Sequence, residues 1–269
     1  MALTGFQRDV CRVLAEQRRR GGESYVAGGG ALNELLAAPR RSHDLDLFHD
    51  TAAALAGTWA RDREALRAAG YQVVPERELP GFVVARVALG GDSVLVEWAQ
   101  DSAYRFFPLI EHELLGLTLH PFDLATNKLL AIAGRREARD WVDGLTCNSQ
   151  VQPLGYLAWA AAGKDPGYTP SDLVERCAAT RYAQAELDAL DFDEPRPAAA
   201  TLSRSWHQAV EDARALVVAL PGEQAGTCVL DLAGSLLRVG PDELRTELAA
   251  GKVRFHAGRI QGAFPELRR

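Results

Sequence analysis

Two aspartates separated by one residue are the strongest chemical feature of this sequence. Asp44 and Asp46 stand in the run Asp-Leu-Asp-Leu, whose alternation of charged and apolar residues is typical of a half-buried strand. Because successive strand side chains point to opposite faces, both carboxylates lie on one face, about 7 Å apart along the strand. Such carboxylates repel each other unless a cation lies between them, and Mg²⁺ prefers oxygen ligands. The pair is therefore a candidate magnesium site.

The residues upstream of the pair are suited to binding a phosphate. A short apolar strand that starts at Tyr25 runs into three glycines, Gly28, Gly29 and Gly30, and a short helix follows. Glycines allow backbone N–H groups to approach a ligand closely, and a helix N-terminus favours an anion. A phosphate-binding turn beside a carboxylate pair predicts a site for a nucleoside triphosphate.

These two segments resemble the signature of the DNA polymerase beta superfamily of nucleotidyltransferases. The fuller pattern, Gly-Gly-x-Ala-Leu followed by Arg-x-Ser-x-Asp-Leu-Asp-Leu, is similar to the AbiEii-type toxin branch. The resemblance implies that Arg40 and Ser42 position the aspartates or contact phosphate. It departs at Gly30, where a Ser or Thr is common, so the backbone is expected to replace a hydroxyl contact to phosphate.

A third carboxylate is expected on a later strand. Residues 93–99 predict the second strand of a hairpin that turns at Gly90-Gly91-Asp92, and this strand carries Glu97 among apolar residues. A buried charge needs a partner because burying it alone is costly. The resemblance implies that Glu97 activates the attacking hydroxyl or holds a second metal ion. Asp101 is the competing candidate, and a solvent-facing Glu97 is the remaining alternative.

Two later helices carry a second group of charged residues. Asp123 is a predicted N-cap for a helix in which Lys128 stands among apolar residues, and a further helix starts near Glu137. In the further helix, Asp140 and Asp143 are three residues apart and therefore share a face.

The same region also resembles the AbiEii-type toxins, through Lys128 followed by Arg135-x-x-x-Arg139-Asp140-x-x-Asp143. The resemblance implies that Lys128 and Arg139 contact the triphosphate. It also implies that Asp143 orders the site, through Lys128 or through an arginine. The alternative is a cluster of salt bridges on the helix surface, which would contribute little to stability.

The composition is that of an ordinary globular protein. The 269 residues are 47% hydrophobic and 25% charged, with a formal net charge of −6. An acidic chain needs a local basic patch to bind nucleic acid, and arginines at 18–20, 40–41 and 135–139 are the candidates. For the first group the alternative is a helix end whose arginines suit the helix dipole. Arg268 and Arg269 would add to a basic C-terminus.

The remaining composition favours a cytoplasmic protein. The four cysteines, at 11, 147, 177 and 228, lack metal-ligand spacing and are expected to be buried thiols. No run approaches the roughly 18 apolar residues of a membrane span, so no membrane association is expected.

We expect an α/β (α+β) fold in two parts. Residues 1–121 are predicted to form the nucleotidyltransferase core, a mixed sheet flanked by helices. Residues 122–269 are predicted to be mainly helical with a small β element, to complete the active site and to bind the acceptor. Residues 104–121 are expected to be irregular, and a hairpin is expected over 227–239.

The leading hypothesis is a magnesium-dependent nucleotidyltransferase that moves a nucleoside monophosphate from an NTP to an acceptor and releases pyrophosphate. By resemblance it would be the toxin of a toxin–antitoxin pair, act on transfer RNA, and be restrained by an antitoxin. One alternative acceptor is a small molecule, such as an aminoglycoside, or a protein side chain; a small cationic acceptor would need an acidic pocket around Asp46. The other alternative is a catalytically degenerate fold that only binds.

Overall fold

A computed structural model describes residues 2–179, 181–193 and 195–265. The predicted basic C-terminus at Arg268 and Arg269 lies outside the described residues. The chain divides into two compact units. The first unit contains Met1–Ala103 and Leu109–His120, and the second contains Tyr104–Pro108 and Pro121–Arg269.

The described helices and strands follow in chain order. They are α1 (Gly5–Gly21), β1 (Tyr25–Ala27), α2 (Gly28–Leu35), β2 (Asp44–His49), α3 (Ala52–Ala68), β3 (Gln72–Leu79), β4 (Phe82–Leu89), β5 (Asp92–Gln100), β6 (Tyr104–Arg105), β7 (Ile110–His112), β8 (Gly116–Thr118), α4 (Pro121–Gly134), α5 (Ala138–Gln150), α6 (Leu154–Ala161), α7 (Pro170–Ala178), α8 (Gln184–Asp188), α9 (Ala199–Ala219), a 3₁₀ turn (Gly222–Gln224), β9 (Thr227–Leu230), α10 (Pro241–Ala249), β10 (Arg254–Ala257) and β11 (Arg259–Ile260).

Capping side chains explain where several helices begin. The Thr4 hydroxyl accepts a hydrogen bond from the Gln7 N–H, and the Gln7 side-chain oxygen accepts one from the Thr4 N–H, which closes a capping box at α1. The Thr51 hydroxyl caps α3 by accepting from the Ala54 N–H at 3.1 Å. Thr169 caps α7, where Pro170 takes the first helical position as the sequence predicts.

The first unit is built on a seven-stranded mixed sheet of order β3-β4-β5-β2-β1-β8-β7. Strand β2 runs antiparallel to β1 and parallel to β5. Its residues alternate between half-buried and buried, as the Asp-Leu-Asp-Leu pattern predicts. Helix α3 covers the apolar face, where the ring of Trp98 lies 4.7 Å from Trp59 and its indole N–H donates to Asp62 at 2.9 Å. The predicted α/β (α+β) fold is confirmed.

The predicted hairpin between β4 and β5 is also confirmed. Leu89 and Asp92 are register partners, and the two turn residues Gly90 and Gly91 have φ values of +63° and +98°. Positive φ at both central residues suits a two-residue hairpin turn and favours glycine. This turn fixes the register of β5 and therefore the position of Glu97.

The expectation of an irregular segment over 104–121 is wrong. Strands β6, β7 and β8 lie there, and β8 joins the sheet beside β1, where the Thr118 hydroxyl donates to the Val26 carbonyl at 2.8 Å. Strands of two or three residues are too short for an alternation to be read from sequence. The prediction that Asp123 is a helix N-cap is also wrong, because α4 begins at Pro121 and Asp123 lies inside its first turn.

The second unit contains α4 to α10 with short strands. A buried cluster that includes Tyr156, Trp159 and Leu216 forms part of its core. The predicted hairpin over 227–239 is confirmed in part. An antiparallel bridge joins Leu230 to Leu236, and the Leu237 N–H donates to the Val229 carbonyl at 3.1 Å, but the strand that pairs with β9 along its length is β10. No helix in the described part of the chain is both long and apolar enough to span a membrane.

Candidate active site

Three carboxylates share one face of the sheet in the first unit. Asp44 and Asp46 occupy the half-buried face of β2, opposite Leu45 and Leu47 on the apolar face. In the parallel pairing of β2 with β5, Asp46 is the register partner of Glu97. Adjacent strands lie about 4.8 Å apart, so these two acids are neighbours across the sheet. Glu97 is itself half-buried.

The register separates the two candidates for the third acid. Asp101 follows the end of β5, four residues beyond Glu97 and therefore about 13 Å further along the strand direction. Its backbone N–H donates to the His49 carbonyl at 3.0 Å, and its carboxylate accepts from the Ser102 N–H at 2.7 Å. The geometry therefore favours Glu97 as the neighbour of Asp46.

Gly28 packs directly against the Asp46 carboxylate. The register of β1 with β2 pairs Ala27 with Asp46, so the next residue lies beside that side chain. Gly28 has a φ of +66°, which L-residues with a side chain rarely adopt. A Cβ at this position would lie 1.7 Å from Asp46 Oδ2. Two independent constraints therefore require glycine here, and the carboxylate contact is one that the sequence does not reveal.

Gly30 and Ser42 support the backbone at Asp44. A Cβ at Gly30 would meet the Asp44 carbonyl oxygen at 3.4 Å and Ser42 Cβ at 3.6 Å, which are ordinary contacts. An alanine side chain would therefore fit at this position. The Ser42 hydroxyl donates to the Asp44 carbonyl at 3.2 Å, and so stabilises the start of β2.

Magnesium fits the donor set of this face. Among the residues that the structure describes, no three His, Cys, Asp or Glu side chains surround one point as metal ligands, so Asp44, Asp46 and Glu97 do not form a closed three-ligand cage. Mg²⁺ at phosphate sites usually takes only one or two carboxylates, and water and phosphate oxygens complete its octahedron. Neighbouring carboxylates on one face supply the hard oxygen ligands that suit Mg²⁺.

Lys128 is the centre of a buried charge cluster in the second unit. Its ammonium lies 2.7 Å from Asp140 Oδ1 and 3.0 Å from Asp143 Oδ2, and its side chain is 8% exposed. Both aspartates are buried, and Asp140 also accepts from Arg135 Nε at 2.7 Å. A cluster of surface salt bridges does not describe this arrangement. The sequence places Asp140 in the motif and on the same face as Asp143 but assigns it no role of its own, and in the structure it bridges Lys128 and Arg135.

The cluster keeps Lys128 and Asp140 charged. Burial lowers the pKa of Lys128, but the negative charges of Asp143 and Asp140 outweigh it and the pKa is raised overall. Burial raises the pKa of Asp140, but the hydrogen bond from Arg135 and the charge of Lys128 lower it overall. An ammonium has three N–H donors. Two of them point at these aspartates, so at most one remains for a ligand.

The predicted basic segments differ in exposure. Arg18 is 1% exposed and its Nε donates to the Leu115 carbonyl at 2.8 Å, so the prediction that this residue belongs to a basic patch for nucleic acid is wrong. Arg40 is 4% exposed, and its guanidinium donates to the Arg41 carbonyl at 2.8 Å. Arg139, by contrast, is partly exposed, with its Nε 4.0 Å from Glu137.

Comparison with known proteins identifies solved structures that share this fold. No protein-family model and no curated protein matches the sequence. Among solved structures, the chain is similar to MenT4, a nucleotidyltransferase toxin from Mycobacterium tuberculosis, with a TM-score of 0.54 and 18% identity over 81% of this chain and 84% of that one. It is also similar to JHP933 from Helicobacter pylori, with a TM-score of 0.52 and 14% identity over 80% of this chain and 95% of that one. The chain therefore shares the fold of these two proteins.

Proposed function

We propose that this protein is a nucleotidyltransferase, which moves a nucleoside monophosphate from an NTP to a hydroxyl-bearing acceptor and releases pyrophosphate. The observation that carries the proposal is the pairing of Asp46 with Glu97 across neighbouring strands, with Asp44 on the same face and Gly28 packed against Asp46. The fold that the chain shares with MenT4, a nucleotidyltransferase toxin, supports the same class of reaction.

The proposed reaction is an in-line displacement at the α-phosphorus. An acceptor oxygen attacks that phosphorus, the bond to the oxygen that bridges the α- and β-phosphates breaks, and pyrophosphate leaves. Glu97 accepts the proton that the acceptor hydroxyl loses. Asp44 and Asp46 would hold Mg²⁺, and the bound cation would supply charge neutralisation of the triphosphate and of the leaving group.

The other site residues have supporting roles in the proposal. The backbone at Gly28, Gly29 and Gly30 binds phosphate at the start of α2, where amide N–H groups point outward. Lys128 and Arg139 are assigned to the triphosphate on the resemblance alone. Within the second unit, the contacts of Lys128 to its two aspartates fix its orientation and charge.

The acceptor in the proposal is transfer RNA, and the protein would act as a toxin that an antitoxin restrains. The resemblance to AbiEii-type toxins and the description of MenT4 as a toxin support this assignment. Transfer RNA and NTPs meet in the cytoplasm, where the reaction is therefore proposed to occur.

The test is incubation of the purified protein with total RNA, Mg²⁺ and each α-³²P nucleotide in turn. We expect label on RNA of transfer-RNA size, with a preference for one nucleotide, and no label with Asp46→Asn. Expression of the wild type should slow growth, and Asp46→Asn should relieve it. Label on protein or on a small molecule alone would refute the RNA acceptor. If the wild-type protein labels no acceptor, the proposal of nucleotidyl transfer is refuted.

A further inference from the structure

Two segments of the second unit bring five arginines together. They are Arg135, Arg136 and Arg139 at the α4–α5 junction, and Arg176 and Arg181 at and after the end of α7; we name this set the arginine surface. Arg176 donates from Nη1 to the Ala133 carbonyl at 3.3 Å, and Arg136 donates from Nη2 to the Arg181 carbonyl at 3.0 Å. These bonds join the two segments into one continuous surface.

The arginine surface is exposed. The side chains of Arg135 and Arg136 are 51% and 65% exposed, and Arg139 is 41% exposed. Arg176 and Arg181 are also exposed. In the other predicted basic segments Arg18 and Arg40 are buried, whereas Arg19 and Arg20 are exposed. The guanidinium groups of the arginine surface can therefore meet a large ligand without rearrangement of the fold.

The local charge is positive on an acidic chain. Residues 134–140 and 176–186 contain five arginines against two glutamates and Asp140, a formal charge of +2, whereas the whole chain has a formal charge of −6. Glu175, next to this region, forms an ion pair with Arg214 of α9 at 2.7 Å. A positive region on a negative protein attracts a polyanion locally, and the rest of the surface repels it.

Aromatic rings hold some of the guanidinium groups in place. The Arg136 guanidinium lies 5.0 Å from the centre of the Tyr182 ring, and Tyr182 itself packs on the buried Trp141 at 5.3 Å. Arg136 also pairs with Glu186 at 2.8 Å. The Arg176 guanidinium lies 5.0 Å from the centre of the Tyr168 ring. A guanidinium stacked on a ring keeps donors at its edge that suit phosphate, and a half-buried ring such as that of Tyr168 can also stack with an unpaired base.

We propose that the arginine surface binds the phosphate backbone of an RNA. Several separated cations with aromatic rings between them suit an extended polyanion that carries bases, better than they suit a small molecule. That this RNA is the acceptor rests on the proposed function. RNA binding itself does not require the reaction and can be measured without it.

The experiment measures the affinity of Asp46→Asn protein, which should not modify its ligand, for fluorescein-labelled transfer RNA by anisotropy. Arg136→Ala/Arg181→Ala removes two charges from the arginine surface. Arg204→Ala/Arg245→Ala is the matched control, because it removes two exposed arginines elsewhere in the second unit and changes the net charge equally. Each variant is first checked for an unchanged thermal unfolding midpoint.

Loss of two phosphate contacts should lower the slope of log K against log salt by about 1.4 to 1.8, and weaken binding about tenfold at 0.15 M salt. The control pair should change the affinity less than twofold. Arg136→Lys/Arg181→Lys should recover most of the affinity, since charge is kept. Recovery would show that the alanine pair acts through charge and not through a loosened segment.

Three results would overturn the proposal. The first is no RNA binding by the parent protein, and the second is an equal loss of affinity in the surface pair and in the control pair. The third is labelled RNA that an acidic polypeptide displaces but that unlabelled RNA of the same total charge does not. The last would point to an acidic protein partner. The two hypotheses fail separately. If the wild type binds RNA but transfers no nucleotide, only the proposed function is refuted. If the alanine pair labels RNA at an unchanged rate, only the role of the arginine surface is refuted.

Discussion

Gly28→Ala places a methyl group where the Asp46 carboxylate now lies. The added Cβ would stand 1.7 Å from Asp46 Oδ2 and 2.6 Å from its Cγ. Cβ atoms essentially never come within 3.0 Å of another heavy atom, so the carboxylate must move by more than an ångström. The substitution therefore perturbs the proposed metal and phosphate site without changing any charged group.

The expected loss has two parts. Alanine at a φ of +66° costs about 1–2 kcal/mol of stability, because its Cβ crowds the following carbonyl. The displaced carboxylate affects the reaction more, since a misplacement of about 1 Å can reduce a rate about 100-fold. We therefore expect a protein that still folds at 25 °C and transfers nucleotide at least about 100 times more slowly than the wild type.

Gly30→Ala is the matched control. It lies two residues away in the same helix, and its added Cβ would make only ordinary contacts, the nearest at 3.4 Å. Alanine in a helix interior is favoured over glycine by about 0.5–1 kcal/mol. We expect unchanged or slightly raised stability and transfer within a few fold of the wild type. Initial rates of α-³²P transfer and urea unfolding curves measure both quantities for both variants.

Two results would refute this reasoning. If Gly28→Ala transfers nucleotide at the wild-type rate, the position of the Asp46 carboxylate does not control the reaction. If Gly28→Ala and Gly30→Ala lose activity equally, the effect belongs to the glycine-rich turn as a whole and not to the contact with Asp46.

Further substitutions test other parts of the structure. Lys128→Met should lower the free energy of unfolding by about 3 kcal/mol in urea titration, because it leaves buried aspartates without their cation; a loss below about 1 kcal/mol would contradict a buried cluster. Burial raises the pKa of Asp62 to about 6, so its contribution to stability is present below its ordinary pKa of 3.8 and is lost as the pH rises through 6. Wild-type stability should therefore fall relative to Asp62→Asn by up to about 3 kcal/mol between pH 4 and pH 7, and parallel pH profiles would exclude this. Glu97→Gln should reduce the transfer rate at least about 100-fold and Asp101→Asn less than threefold; the reverse order in initial-rate assays would make Asp101 the third acid.

Local signals explain which features could be predicted from the sequence. The alternation around Asp44 and Asp46 and the turn at Gly90-Gly91 depend only on neighbouring residues, and the structure has both as predicted. Pairings between distant segments leave no such signal. Strand β9 pairs along its length with β10, about 25 residues further along, whereas the nearer segment at 235–239 forms only part of the predicted hairpin.

Side-chain burial in the site region was the least predictable property. Three consecutive arginines at a helix end indicate solvent exposure, yet Arg18 is buried because α1 packs on β8 and a backbone carbonyl accepts its hydrogen bond. The contact of Gly28 with Asp46 likewise depends on the register of two strands. Residue types predicted the candidate acids, whereas only the register separates Glu97 from Asp101.

The most direct test of the central claim compares two labels in one reaction. Wild-type protein is incubated with RNA and one NTP that carries ³²P either in the α-phosphate or in the γ-phosphate, and Asp46→Asn is run beside it. We predict that the wild type incorporates the α-label, that the γ-label leaves in pyrophosphate, and that Asp46→Asn incorporates neither. Incorporation of the γ-label, or of the α-label at equal rates by both proteins, would contradict nucleotidyl transfer at this carboxylate face.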